Sequence, residues 1–273
     1  MVTHVVKQQY KQLQDAGSPR PHLQQSRRST LGFWVLKLIA TTVGEIGGNL
    51  ISMDFHLGYL AATLLLFAVF GLLTALQISR ERFHPLLYWG TIVASTTAGT
   101  TLADFTDRSL GIGYAGGSLL LFGLVLASLL AWKLHSGSLS ADVITSRSAE
   151  AHYWLTITFS QTLGTALGDW FADTAGFGYA GSALIFSAAL AVIAVLYFAR
   201  AANKVIVFWA AFILTRPFGA VFGNLFDKPV SSGGYGFSRL LLTGGLIALM
   251  IVGLLLIPQR AKGVATKELS GPS

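Results

Sequence analysis

Glu45 and Arg216 are the residues whose setting most demands a chemical reason, because each is a charge inside a stretch that is otherwise apolar or small. Ionisable groups at membrane depth are costly, face a protein interior or water, and mark proton relays, substrate ligands or ion pairs. A second set recurs in register. Asn49, Asp104, Asp169 and Asn224 each lie 15 residues after a tryptophan, namely Trp34, Trp89, Trp154 and Trp209. Gathered around one axis they would make a ring of two amides and two carboxylates. Such oxygen donors suit hard or borderline cations, and acidic rings select cations in pores. Asp104 and Asp169 are then the candidate metal ligands, with Asp107, Asp173 and Asp227 as a second layer just beyond them. A plainer reading stands beside this one, in which the same residues cap helix ends and hydrogen-bond short loops.

What must position these residues is an internal fourfold repeat. Ten residues after each tryptophan comes a glycine, Gly44, Gly99, Gly164 or Gly219. Four further on stands Gly48, Ala103, Gly168 or Gly223, then the Asn or Asp, and later a Gly-Tyr pair at Gly58-Tyr59, Gly113-Tyr114, Gly178-Tyr179 and Gly234-Tyr235. The chain of 273 residues is 53% hydrophobic and 11% charged, against roughly 25% charged in soluble domains. Apolar runs at 58–76, 113–132, 178–198 and 240–257 are each about long enough to cross a bilayer as a helix. The reading is therefore an all-α membrane protein with two helices per repeat and eight transmembrane helices, near 33–51, 58–78, 87–104, 113–133, 152–169, 178–199, 206–225 and 236–257. An even number of spans per repeat makes the copies parallel, related by an axis along the membrane normal. Fourteen basic residues collect on one side against three on the other, which predicts cytoplasmic N and C termini. The chain divides into a polar basic tail (1–30), a membrane domain (31–258, repeats about 33–78, 87–133, 152–199 and 206–257) and a second tail (259–273).

The first helix of each repeat carries the polar residues, among them Thr41, Thr96, Thr100, Gln161, Thr165 and Thr215, whereas the second is almost purely aliphatic and aromatic. Polar groups at this depth need protein or water partners, so the odd helices should face one another and the even ones lipid. The Gly-x-x-x-Gly/Ala spacing fits close helix packing. The tryptophans read as interfacial anchors, with the tyrosines in the same role at the opposite face. Glu45 aligns with Thr100, Thr165 and Ala220, and Arg216 with Thr41, Thr96 and Gln161, which puts the two charges within reach of each other. Pro217 should kink or break its helix. Lys37 sits near the membrane surface and should snorkel.

Several classes drop out. With no cysteine, disulfides and thiolate chemistry are excluded. The six histidines are scattered over tail and loops. There is no Gly-x-Ser-x-Gly and no phosphate-binding loop, so no enzyme and no cofactor is expected, beyond a transported cation. The net charge of +7 is a topology signal, with no basic run interleaved with aromatics of the kind nucleic acid requires. The expected partners are the lipid bilayer and an ion or small solute.

Four copies of a two-helix unit sharing Trp34, Trp89, Trp154 and Trp209, with the Gly and Asn/Asp that follow, resemble a family of bacterial inner-membrane proteins built of four tandem repeats of a domain of unknown function. The likeness covers about residues 33–257. It implies a multi-pass protein of the bacterial inner membrane and brings no activity with it. Asn in place of Asp in the first and fourth copies departs from even repetition. The functional expectation is a small-solute or cation transporter, with a divalent metal such as manganese as one candidate. Glu45 would be the coupling carboxylate, and Thr and Gln oxygens the lining. The alternative is a non-transporting scaffold that recruits a partner through its tail.

Overall fold

The computed structural model describes residues 31–80, 84–137, 139 and 146–257. The two tails, and most of the linker between the second and third repeats, lie outside these residues. The described residues form eight α-helices: α1 Leu31–Asn49, α2 Gly58–Ser79, α3 Pro85–Asp104, α4 Tyr114–Ser136, α5 Arg147–Asp169, α6 Gly178–Phe198, α7 Lys204–Asp227 and α8 Arg239–Leu256.

Local sequence sets the ends. Pro85 opens α3 at a position where its missing N–H costs nothing. Ser146, Asn203 and Ser238 accept hydrogen bonds from the first turns of α5, α7 and α8. The Ser146 cap starts α5 five residues before the expected 152. At the far end α1, α3 and α5 each widen into one π-helical turn, Leu50–Asp54, Phe105–Ser109 and Trp170–Thr174. The chain then reverses through a glycine at positive φ, Gly58 (72°), Gly113 (76°) and Gly178 (65°), which accounts for the Gly of the Gly-Tyr pair. The fourth copy differs: a 3₁₀ turn at Val230–Ser232 follows α7, and α8 starts only at Arg239.

The odd helices close a square, α1 on α3, α3 on α5, α5 on α7 and α7 back on α1. Each even helix packs chiefly on the odd helix of the next repeat, α2 on α3, α4 on α5 and α6 on α7, and α8 completes the circle on α1. Six helices are long and apolar enough to cross a membrane: α1 with its π turn, α2, α4, α6, α7 and α8. The expected eight exceed this by α3 and α5. Those two carry the threonines of the third and fifth spans and α5 also holds Arg147, Glu150 and Gln161, so their composition falls short while the surrounding helices cover them. Leucines and valines such as Leu64, Leu119, Leu184, Val195, Leu241 and Leu255 are turned outward on the even helices, as lipid-facing positions require. The chain is a multi-pass membrane protein.

Candidate functional site: a polar column on the bundle axis

Four residues spaced by four face the axis on every odd helix. They are Lys37, Thr41, Glu45 and Asn49 on α1; Ile92, Thr96, Thr100 and Asp104 on α3; Ile157, Gln161, Thr165 and Asp169 on α5; and Phe212, Arg216, Ala220 and Asn224 on α7. None of the sixteen is more than 2% exposed. They stack as four layers over about 18 Å at 1.5 Å per residue.

Glycines let the helices come close enough for this. The glycine ten residues after each tryptophan faces the residue seven after the next one: a Cβ on Gly44 would meet Thr96, on Gly99 Gln161, on Gly164 Arg216, and on Gly219 Thr41. A second set repeats the rule one turn on, Gly48 against Thr100, Gly168 against Ala220 and Gly223 against Glu45. Pro217 does not break α7, which runs on to Asp227. Its backbone nitrogen instead packs where a Cβ on Gly164 would lie 3.0 Å away.

The third layer is knitted by Arg216. Its Nη2 donates to Glu45 Oε2 at 3.1 Å, Thr100 Oγ1 at 2.6 Å, Thr165 Oγ1 at 2.5 Å and the Thr96 carbonyl at 3.4 Å. Thr100 and Thr165 also donate to Glu45 Oε2, at 3.4 and 3.3 Å. One buried ion pair thus ties all four odd helices together.

The fourth layer brings Asn49, Asp104, Asp169 and Asn224 to one end. Asn49 Nδ2 donates to Asn224 Oδ1 at 3.2 Å, and Asn224 Nδ2 to Asp169 Oδ1 at 3.1 Å. Between the two aspartates lies a guanidinium: Arg108 Nε is 3.0 Å from Asp104 Oδ1, and its Nη2 3.4 Å from Asp169 Oδ2. The expected second layer does not assemble. Asp227 joins the ring, accepting from Asn49 Nδ2 at 3.4 Å and Arg239 Nε at 2.7 Å. The π turn points Asp107 away, at the backbone of Gly117 on α4, with both carboxylate oxygens unpartnered. Asp173 is exposed and accepts from the Tyr179 hydroxyl at 3.0 Å. Among the described residues no group of three or more His, Cys, Asp or Glu is arranged to hold a metal ion.

The aromatic expectations need correction. Trp89, Trp154 and Trp209 are buried, where anchors would face lipid, and Trp34 is partly buried. They fill an aromatic core at the end opposite the acids, with Trp132 edge-on to Trp209 (5.7 Å between centroids) and Tyr88 against Trp154 (6.0 Å). Of the repeated tyrosines Tyr179 is buried, Tyr59 and Tyr114 are half-buried, with Tyr59 accepting from Arg108 at 3.4 Å, and Tyr235 is exposed. Nor does Lys37 snorkel. It is fully buried on the axis, Nζ 4.0 Å from the centroid of Phe212. The series 37, 41, 45, 49 carried that signal. Two of the scattered histidines also meet, His135 and His152 stacking at 5.0 Å.

No curated protein and no solved structure matches the chain significantly. A family model described as Repeat of Unknown Function (DUF347) matches residues 32–83, 87–138 and 152–203. Those matches cover more than half of the chain and coincide with the first three copies. The fourth repeats their axial stripe and their glycine register. The chain belongs to this family of tandem repeats of unknown function.

Proposed function

We propose that the protein transports a small solute across the bacterial inner membrane, a cation in the first instance and a divalent metal such as manganese among the candidates. All eight helices span in this reading, with both termini in the cytoplasm and the Asp/Asn ring facing out. The observation that carries it is the axial column: polar and ionisable side chains run through the centre of a bundle whose outer helices are apolar. Burying charges in this way costs stability that packing alone does not require.

Asp54, Asp104, Asp107, Asp169, Asp173 and Asp227 outnumber Arg108, Lys228 and Arg239 at the ring end, so its field attracts cations. Arg108 occupies the place between Asp104 and Asp169 that a cation would take. An arriving cation would displace it, and movement of the half-exposed Arg108 would open the ring. Glu45, one layer deeper, is the group placed to pass a proton or a cation onward.

The test is flux into liposomes holding the purified full chain, for Mn²⁺, Mg²⁺, Na⁺ and H⁺ in turn, together with elemental analysis of cells with and without the protein. Flux of one ion that Asp104→Asn with Asp169→Asn abolishes is the expected result. Flux of every ion equal to that of empty liposomes would sink the transport reading. Loss of a cellular phenotype on deleting residues 1–28, with no flux, would favour a scaffold.

A further inference from the structure

The half of the axis nearer the tryptophans holds donors that the cation route leaves unused. Lys37 is fully buried, and among the described residues its Nζ has no hydrogen-bond or ion-pair partner and lies over the face of Phe212. One layer in, Arg216 commits Nη2 to Glu45, Thr100, Thr165 and the Thr96 carbonyl, while its Nε and Nη1 remain unpartnered. In that same layer Gln161 is fully buried and both its amide nitrogen and its amide oxygen lack a partner. Phe212, under the Lys37 ammonium, stands one turn before Arg216 on α7, which puts the two basic groups in adjacent layers.

The charges here do not balance. Along the first three layers the axial stripe contains two cations, Lys37 and Arg216, and one carboxylate, Glu45, the remaining positions being Thr, Gln, Ile, Phe and Ala. The flanking buried acids are already engaged: Asp104 and Asp169, in the fourth layer, are held by Arg108 and Asn224, and Glu150, two turns before Ile157 on α5 and off the stripe, has a partner of its own. A buried charge without a counter-charge is strongly unfavourable, and so is a buried N–H without an acceptor. Both faults lie in adjacent layers, and a single bound species corrects both.

We propose that the bundle interior between Lys37 and the Gln161–Arg216 layer binds a small monovalent anion, with Lys37 Nζ, Arg216 Nη1 and Gln161 Nε2 as its donors. The charge follows from the surplus of one cation. Small size and weak hydration follow from the neighbours, because Ile92, Ile157 and Phe212 enclose this level and offer no replacement for a hydration shell. Chloride and the heavier halides, and small planar oxyanions such as nitrate or formate, meet both conditions. The inference is independent of the transport reading, since binding is an equilibrium property of the folded chain.

Bromide is the probe. The full chain in lipid nanodiscs is titrated with bromide at constant ionic strength, with bulky gluconate as the balancing anion, and bromide-soaked crystals are measured at the bromine edge. The expected result is saturable thermal stabilisation by bromide and an anomalous peak between Lys37 and Arg216. Lys37→Met should weaken the affinity roughly tenfold, the loss of one charge-assisted donor, with nitrate and formate following bromide. Bromide that stabilises no more than gluconate overturns the proposal, as does unchanged affinity in Lys37→Met. If that variant fails to fold, Gln161→Leu carries the decision, and wild-type bromide affinity there is equally fatal.

Discussion

Arg216 gives one nitrogen, Nη2, to a carboxylate on α1, a hydroxyl on α3 and a hydroxyl on α5, so removing either charged partner strands the other at the centre of four helices. Breaking a buried pair from one side costs about 3–5 kcal/mol, while replacing both partners by apolar groups of similar volume is often near neutral. Glu45→Leu should therefore lower the thermal unfolding midpoint sharply, and Glu45→Leu with Arg216→Met should recover most of the loss in the same detergent. Gly164→Ala tests the contact from the other side. Its Cβ would run into Arg216 Cγ and Cβ, an overpacking expected to cost about 1–3 kcal/mol. Gly71→Ala on α2, with nothing within 4 Å, should instead gain up to about 1 kcal/mol of helix propensity. At the ring, Arg108→Gln removes the guanidinium between Asp104 and Asp169, so Mn²⁺ should raise the melting temperature of this variant more than that of wild type. Equal shifts would count against cation binding there. Much of this was legible in sequence, because the repeat register aligns Glu45 with Thr100 and Thr165 and sets Arg216 one turn away. The inward turn of the tryptophans was not. An aromatic residue at the end of an apolar run suits a lipid interface and an aromatic core equally, and only the neighbouring helices decide between them.

At the scale of the element, the period of four in the axial stripe exceeds the 3.6 residues of a helical turn. That mismatch favours right-handed crossings of the kind that small-x-x-x-small pairs make. Local periodicity thus announces which face is buried, but it is silent on which neighbour covers it. The sequence shows two helices per repeat, and nothing in it says that the second helix leaves its own partner for the next repeat. Cysteine cross-linking reads this directly, since the chain has no cysteine of its own. A Cβ on Gly253 of α8 would lie 2.8 Å from Leu36 Cδ2 on α1. Gly253→Cys with Leu36→Cys should therefore oxidise to an intramolecular disulfide joining the last repeat to the first. Failure to cross-link under oxidant would argue against closure through α8. The polarity that keeps α3 and α5 below a hydropathy criterion is also what marks them as interior, since their buried Thr and Gln side chains sit among the other helices.

For the whole molecule, the two ends of the described chain meet, a Cβ on Gly32 falling 2.6 Å from Ile257 Cγ2. A circular permutant that joins the old ends by a short linker and opens the chain before Ser146 keeps every interhelical contact. It should purify as a folded species with a melting temperature near that of the parent. Removal of residues 239–257 instead uncovers the face of α1 around Leu36 and takes Arg239 from Asp227, and should give a chain that aggregates in detergent. The circle also separates this protein from open repeat arrays. In a solenoid each unit stacks on the last, and the array lengthens one unit at a time. Here the fourth outer helix is already spent on the first inner one, so an additional unit would find no vacant neighbour and would have to prise apart a finished contact to enter. Copy number is locked by geometry. Divergence between the units can then proceed in place, one layer at a time, and the single glutamate and single arginine at the centre of an otherwise repeated frame are its visible result.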